Sequence, residues 1–92
     1  MMDTIYSDRR KYPRHKLNAP GQIVHLSRGV RLGTPVKCLV NNISRGGAVV
    51  YAESDVTASE FYLELDTEPE NLRLCSVVRR VNDRRLRVEF VI

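Results

Sequence analysis

The 92-residue chain has no tryptophan, only two cysteines, and no apolar run long enough to cross a bilayer. Cys38 and Cys75 lie in separate apolar segments outside any CxxC pattern, and neither His15 nor His25 has ligand-like spacing to them. We therefore predict no metal site and no membrane insertion. The start also lacks the apolar stretch of a signal peptide, which predicts a cytoplasmic protein with both thiols buried as small hydrophobic side chains.

Signatures of catalysis are missing as well. The sequence contains no nucleophile elbow, no paired acid and base carboxylates, and no context that makes either histidine a base for Ser44. We predict a non-enzyme without catalytic residues or cofactors. A domain of this length has a small core, which favours binding on an outer face over a deep enclosed site.

Charge is unevenly distributed along the chain. Residues 1–47 carry nine Lys or Arg against two acids, residues 53–70 carry seven acids and no base, and residues 71–92 carry six Arg against two acids. The net charge is +4. These blocks are consistent with a basic face that attracts an anion, although solvated surfaces also separate charge by chance.

Apolar residues alternate with polar ones at a period of two, which is the pattern of β-strands. Glycine-containing residues 28–34 are interpreted as a flexible turn region, and residues 53–59 as a loop or a single helical turn. About six short strands with almost no helix fit a small closed barrel or a sandwich, and closure is favoured because it removes exposed sheet edges. The predicted strands cover residues 22–26, 36–41, 48–51, 61–66, 72–79 and 85–92.

Two short motifs suggest binding chemistry. Arg10 and Arg14 stand four positions apart in a basic segment, and their guanidiniums could grip phosphate oxygens or stack on purines. A solvated tail or a nonspecific nucleic-acid patch is the alternative. In residues 42–47, Asn42 and Ser44 offer hydrogen-bonding groups, and Gly47 would let a planar ring approach or permit a positive φ. An ordinary turn is the alternative there.

Together these motifs resemble the RxxxR and [D/N]xSxxG signatures of PilZ domains, bacterial receptors for cyclic di-GMP. Residues 77–81 and 86–90 are similar to that family's closing hairpin. The resemblance implies an all-β fold, a six-stranded antiparallel barrel preceded by an extended arm. The domain then covers residues 9–92, with an arginine arm at 9–19 stiffened by proline, a barrel at 20–92, and a disordered start at 1–8.

By the same resemblance, Arg10 and Arg14 would clasp cyclic di-GMP against the barrel, Asn42 and Ser44 would read a guanine edge, and Gly47 would leave room for the ring. The neighbouring Gly46 belongs to the same motif. Arg9 could add a phosphate contact if two ligand molecules bind rather than one.

Three features depart from the family pattern. Asn42 replaces the commoner aspartate, Arg87 stands where a glycine often precedes the final Phe90, and no C-terminal helix follows.

We expect a separate output protein as partner and no specific nucleic acid. A PilZ-like interaction module without ligand, or a small-barrel single-stranded nucleic-acid binder, are the alternative functions.

Overall fold

The computed structural model describes residues 18–91, which form six β-strands and no helix. All neighbouring strands are antiparallel, and they close into a barrel in the order β1-β2-β3-β6-β5-β4. The all-β barrel expected from the sequence is thereby confirmed. The strands are β1 (Ala19–Ser27), β2 (Val30–Asn41), β3 (Gly47–Ala52), β4 (Glu60–Leu65), β5 (Leu72–Asn82) and β6 (Arg85–Phe90).

Closure of the barrel depends on a close approach between β1 and β4. Gly21 lies opposite Leu65, and a Cβ atom on Gly21 would stand 2.7 Å from the carbonyl oxygen of Glu64. A contact that short with a backbone atom leaves no space for a side chain. Glycine at this position therefore permits the pairing that leaves the sheet without a free edge.

The core is filled by one side of each strand, as the alternating sequence predicts. Ile23, Val40, Leu63, Leu86 and Val88 are completely or almost completely buried. Leu39, between two inward-facing residues of β2, is exposed. The period-two pattern therefore identified the inward face of most strands but not of β5. There Cys75 and Val77 face the core, whereas Val78, which the pattern places on the apolar face, is exposed.

Both cysteines belong to this core. Cys38 and Cys75 are buried and free, and burial raises the pKa of each thiol from 9.0 to about 12. A thiol with so high a pKa carries almost no thiolate at neutral pH and is a poor nucleophile. The expectation that the cysteines serve as small hydrophobic side chains is confirmed.

The flexible turn region predicted at residues 28–34 is wrong. Only Arg28 and Gly29, both with positive φ, form the turn, and β2 resumes at Val30. Gly33 lies inside the strand with φ of 68°, next to the register shift that falls between Ile23 and His25 of β1. A glycine of this kind accommodates a β-bulge, which from sequence alone resembles a turn signal.

The ambiguous segment at residues 53–59 is a loop, not a helical turn. Val56 anchors it by inserting into the core. The guanidinium of Arg80 donates hydrogen bonds to the carbonyl oxygens of Val56 and Ala58, the latter at 3.0 Å. The loop is therefore tied to the end of β5 and covers that end of the barrel.

Glu64 is the one buried charged side chain among the residues described. Its carboxylate accepts hydrogen bonds from the backbone N–H of Glu70 at 2.6 Å and from Nε2 of Gln22 at 2.7 Å, and Nη2 of Arg31 lies 3.4 Å away. These donors, led by the Glu70 N–H, hold the pKa of Glu64 below its ordinary value. The carboxylate joins β4 to β1, to β2 and to the turn before β5.

We predict that Glu64→Gln lowers the free energy of unfolding at neutral pH and makes it depend less on pH. Because the folded-state pKa is lowered, the ionised carboxylate stabilises the protein above its ordinary pKa, and this stabilisation is lost as the pH falls through the lowered value. Urea unfolding between about pH 7 and about pH 3 measures the effect. Exposed Glu53→Gln is the control, and parallel curves for wild type and Glu64→Gln would contradict the prediction.

Candidate functional site

The second motif forms the connection between β2 and β3. Asn42 follows directly on β2 with φ of 52°, a left-handed conformation that asparagine tolerates better than most residues. Ile43 packs against the core. The chain changes direction at Asn42, and Ile43 holds the segment against the barrel. The side chains of Asn42 and Ser44 stay partly exposed.

Ser44 closes this connection by hydrogen bonding within it. Its backbone N–H donates to the carbonyl oxygen of Gly47 at 2.9 Å. Its hydroxyl oxygen accepts from the N–H of Gly46 at 3.3 Å and lies 3.4 Å from the Gly47 carbonyl oxygen. Both hydrogen bonds of the hydroxyl are long and therefore weak. The hydroxyl supports the turn, and it can replace one of these bonds by a hydrogen bond to a ligand.

Gly47 is required by the close approach of β6. A Cβ atom at this position would stand 2.2 Å from the carbonyl oxygen of Val88, and Gly47 does not have the positive φ that was one explanation for a glycine here. The neighbouring Gly46 carbonyl accepts a hydrogen bond from the N–H of Phe90 at 2.9 Å. The two glycines therefore hold the motif against the last strand of the barrel.

A shallow cleft of about 190 Å³ lies where the motif meets β6. Four of its eight lining residues are small, so the backbone is accessible, and Arg87 and Glu89 add one charge of each sign. The lining residues are Ser44, Gly46, Gly47, Ala48, Val49, Arg87, Val88 and Glu89. A planar polar ligand could therefore reach both backbone and side-chain hydrogen-bonding groups here.

The described end of the predicted arginine arm, Asn18, lies next to the second motif. Asn18, the first residue described, accepts a hydrogen bond through Oδ1 from Nδ2 of Asn41 at 2.7 Å. Asn41 immediately precedes Asn42. Arg9, Arg10 and Arg14 lie outside the described residues, so the structure brings together the second motif only, and the first motif stays a prediction.

Three further concave surfaces within residues 18–91 contain none of the predicted residues. The largest, of about 550 Å³, lies across β1, β2 and β3 and includes Lys37, Tyr51, Glu53 and Asp66. Residues 18–91 contain no group of three or more His, Cys, Asp or Glu that could hold a metal ion. Within the same residues no helix has the length and apolar character needed to cross a membrane.

A family model describing the PilZ domain matches residues 8–92. The chain belongs to the PilZ domain family. This match confirms the resemblance drawn from the two motifs and extends through the arm, whose arginines fall inside the matched range. A search of curated proteins found no significant match. PilZ domains are binding and adaptor domains rather than catalysts, and the family generally binds cyclic di-GMP.

In this PilZ domain, Arg87 and Glu89 belong to the motif cleft, although sequence reasoning did not include them. Arg87 was recognised only as a departure from the family pattern. Pairing of Gly47 with Glu89 and of Val49 with Arg87 places both charged residues on the outer face beside the motif. The alternation of β6 predicts that they face outward, but their proximity to the motif depends on a pairing between distant strands.

We predict that Gly47→Ala destabilises this PilZ domain by about 1–3 kcal/mol, because the new methyl group forces the Val88 carbonyl away from β3. Urea unfolding monitored by circular dichroism measures the change. Gly29→Asn is the control, since Gly29 has open space around its Cβ position and asparagine tolerates a positive φ. Equal stability of Gly47→Ala and wild type would show that β6 has room to move.

Proposed function

We propose that this PilZ domain is a cyclic di-GMP receptor in bacterial second-messenger signalling. In this proposal Arg10 and Arg14 hold the ligand against Asn42, Ser44 and Gly47. The observation that carries it is the hydrogen bond between Asn18 and Asn41, because it fixes the root of the arm next to the second motif.

Chain geometry supports the proposed clasp. Arg14 precedes Asn18 by four residues, so its Cα atom lies within about 14 Å of that of Asn18 whatever path the backbone takes. The corresponding limit for Arg10 is about 28 Å. With Asn18 bonded beside Asn42, both guanidiniums can reach a ligand in the motif cleft.

The arginine motif and the second motif offer different and complementary groups to a cyclic dinucleotide. A charge-assisted hydrogen bond contributes about 1.5–3 kcal/mol, and a stacked cation–π contact up to about 2 kcal/mol. Two arginines could therefore supply a large part of the roughly 8 kcal/mol that micromolar binding requires. Asn42 carries both an amide donor and a carbonyl acceptor for a guanine edge, but no carboxylate.

The proposed output is a change in the surface offered to another protein. A bound ligand would fix the arm against the end of the barrel where β2 joins β3, and a partner in the cytoplasm would recognise the altered surface. The alternative of a single-stranded nucleic-acid binder has less support, because such proteins need aromatic platforms. Tyr51 is the one exposed aromatic side chain within residues 18–91, and Arg85 lies over its ring.

We expect saturable binding of cyclic di-GMP by the wild-type protein and at least about thirtyfold weaker binding by Arg14→Ala, because the loss of one guanidinium removes several ligand contacts. Isothermal titration calorimetry measures affinity and stoichiometry together. Lys16→Ala is the matched control, as it removes a positive charge from the same arm outside the motif.

Absence of saturable binding to the wild-type protein would overturn the proposal. Equal weakening by Lys16→Ala and Arg14→Ala would also overturn it, because the arm would then act through net charge alone. A stoichiometry of two ligands per chain would indicate a bound dinucleotide pair and a role for Arg9.

A further inference from the structure

Three arginines line the outer face of the barrel from the edge of the motif cleft onward. Arg87 of β6 lies opposite Val49 of β3 on one side and opposite Arg79 of β5 on the other. Arg85, two residues before Arg87, lies opposite Tyr51, with its guanidinium carbon 5.4 Å from the centre of the ring. We call Arg79, Arg85 and Arg87 the arginine row.

The arginine row differs from the other arginines of β2, β5 and the β5–β6 turn in lacking acidic partners. Within residues 18–91, no carboxylate lies within ion-pair distance of any member of the row, whereas the remaining ion pairs are Arg31–Glu64, Arg73–Glu68, Arg80–Asp83 and Arg84–Asp55. Like charges placed directly opposite each other on adjacent strands repel and destabilise the pairing. Arg79 and Arg87 lie directly opposite each other, so their charges repel unless an anion lies between them.

A second concave surface lies over the arginine row and adjoins the motif cleft. Its volume is about 380 Å³, and it shares Val49 and Arg87 with the cleft beside Gly47. The lining residues are Val49, Arg79, Val81, Arg85, Leu86 and Arg87. A ligand that extends from the motif cleft across β6 toward β5 therefore reaches Arg87 first and Arg79 next.

We propose that Arg87 and Arg79 form a phosphate subsite, in which the barrel itself binds a phosphodiester of the cyclic dinucleotide. The proposal rests on the function proposed above and adds two ligand contacts outside both motifs. Residues directly opposite on antiparallel strands have Cα atoms about 5 Å apart, so two guanidiniums can donate to the two non-bridging oxygens of one phosphate. Binding of this anion would relieve the repulsion between the two arginines.

The test is a titration of cyclic di-GMP into the wild-type protein, Arg87→Ala, Arg79→Ala and Arg87→Lys. Arg84→Ala is the matched control: it removes one exposed arginine from the β5–β6 turn, beyond the opposite end of β6 from the motif. We expect Arg87→Ala and Arg79→Ala to weaken binding about tenfold or more, and Arg87→Lys to be intermediate because it keeps the charge but loses the planar fork. We expect Arg84→Ala to bind like the wild type.

Thermal unfolding without ligand separates binding from folding. Since removal of either facing arginine relieves a like-charge contact, Arg87→Ala and Arg79→Ala should melt no lower than the wild type. Wild-type affinity in both variants, or an equal loss in Arg84→Ala, would overturn the subsite while leaving the receptor function in place. Absence of binding to the wild-type protein would instead overturn the receptor function itself.

Discussion

The close approach of β3 to β6 at Gly47 is the constraint on which the candidate site depends. The Val88 carbonyl occupies the space where any other residue at position 47 would carry its Cβ atom. Because of this contact, the connection after β2 lies flat against the last strand, and Ser44, Gly46 and Arg87 line one cleft. The same contact helps to close the sheet, so the candidate site and the barrel share a structural requirement.

The distribution of charge follows the same architecture. Acidic residues of the segment 53–70 pair with arginines near the ends of the strands: Asp55 with Arg84, and Glu68 with Arg73. Glu64 is satisfied by neighbours from three parts of the barrel. These pairings hold the acidic groups of that segment away from the outer face of β6, where Arg85 and Arg87 are accompanied by Glu89 next to the motif. The acidic segment and the basic block at residues 71–92 therefore meet in ion pairs and do not form separate surfaces of the fold.

The sequence predicted the fold well where alternation is regular. In β2, β4 and β6, the apolar positions of the period-two pattern are buried or partly buried, and Glu64 is the one buried position on the polar side. It failed at residues 28–34, because the positive φ of Gly33 serves a bulge within a strand. In β5, two register shifts after Val77 and Arg80 break the simple alternation, so Arg80 turns toward the loop at residues 53–59. Bulges depend on the partner strand, which a local pattern does not contain.

Only part of the candidate site was predictable, because the rest depends on which strands pair. Asn42, Ser44 and Gly47 are close in sequence, so their motif is visible in the chain itself, whereas Arg87 joins them only through the pairing of β3 with β6. The central claim is that a cyclic dinucleotide binds across that pairing. Amide chemical shifts of the labelled protein during titration with cyclic di-GMP test it most directly. We expect the largest changes at residues 42–47 and 86–89. Changes confined to residues 53–70, or none at all, would contradict binding across the pairing of β3 with β6.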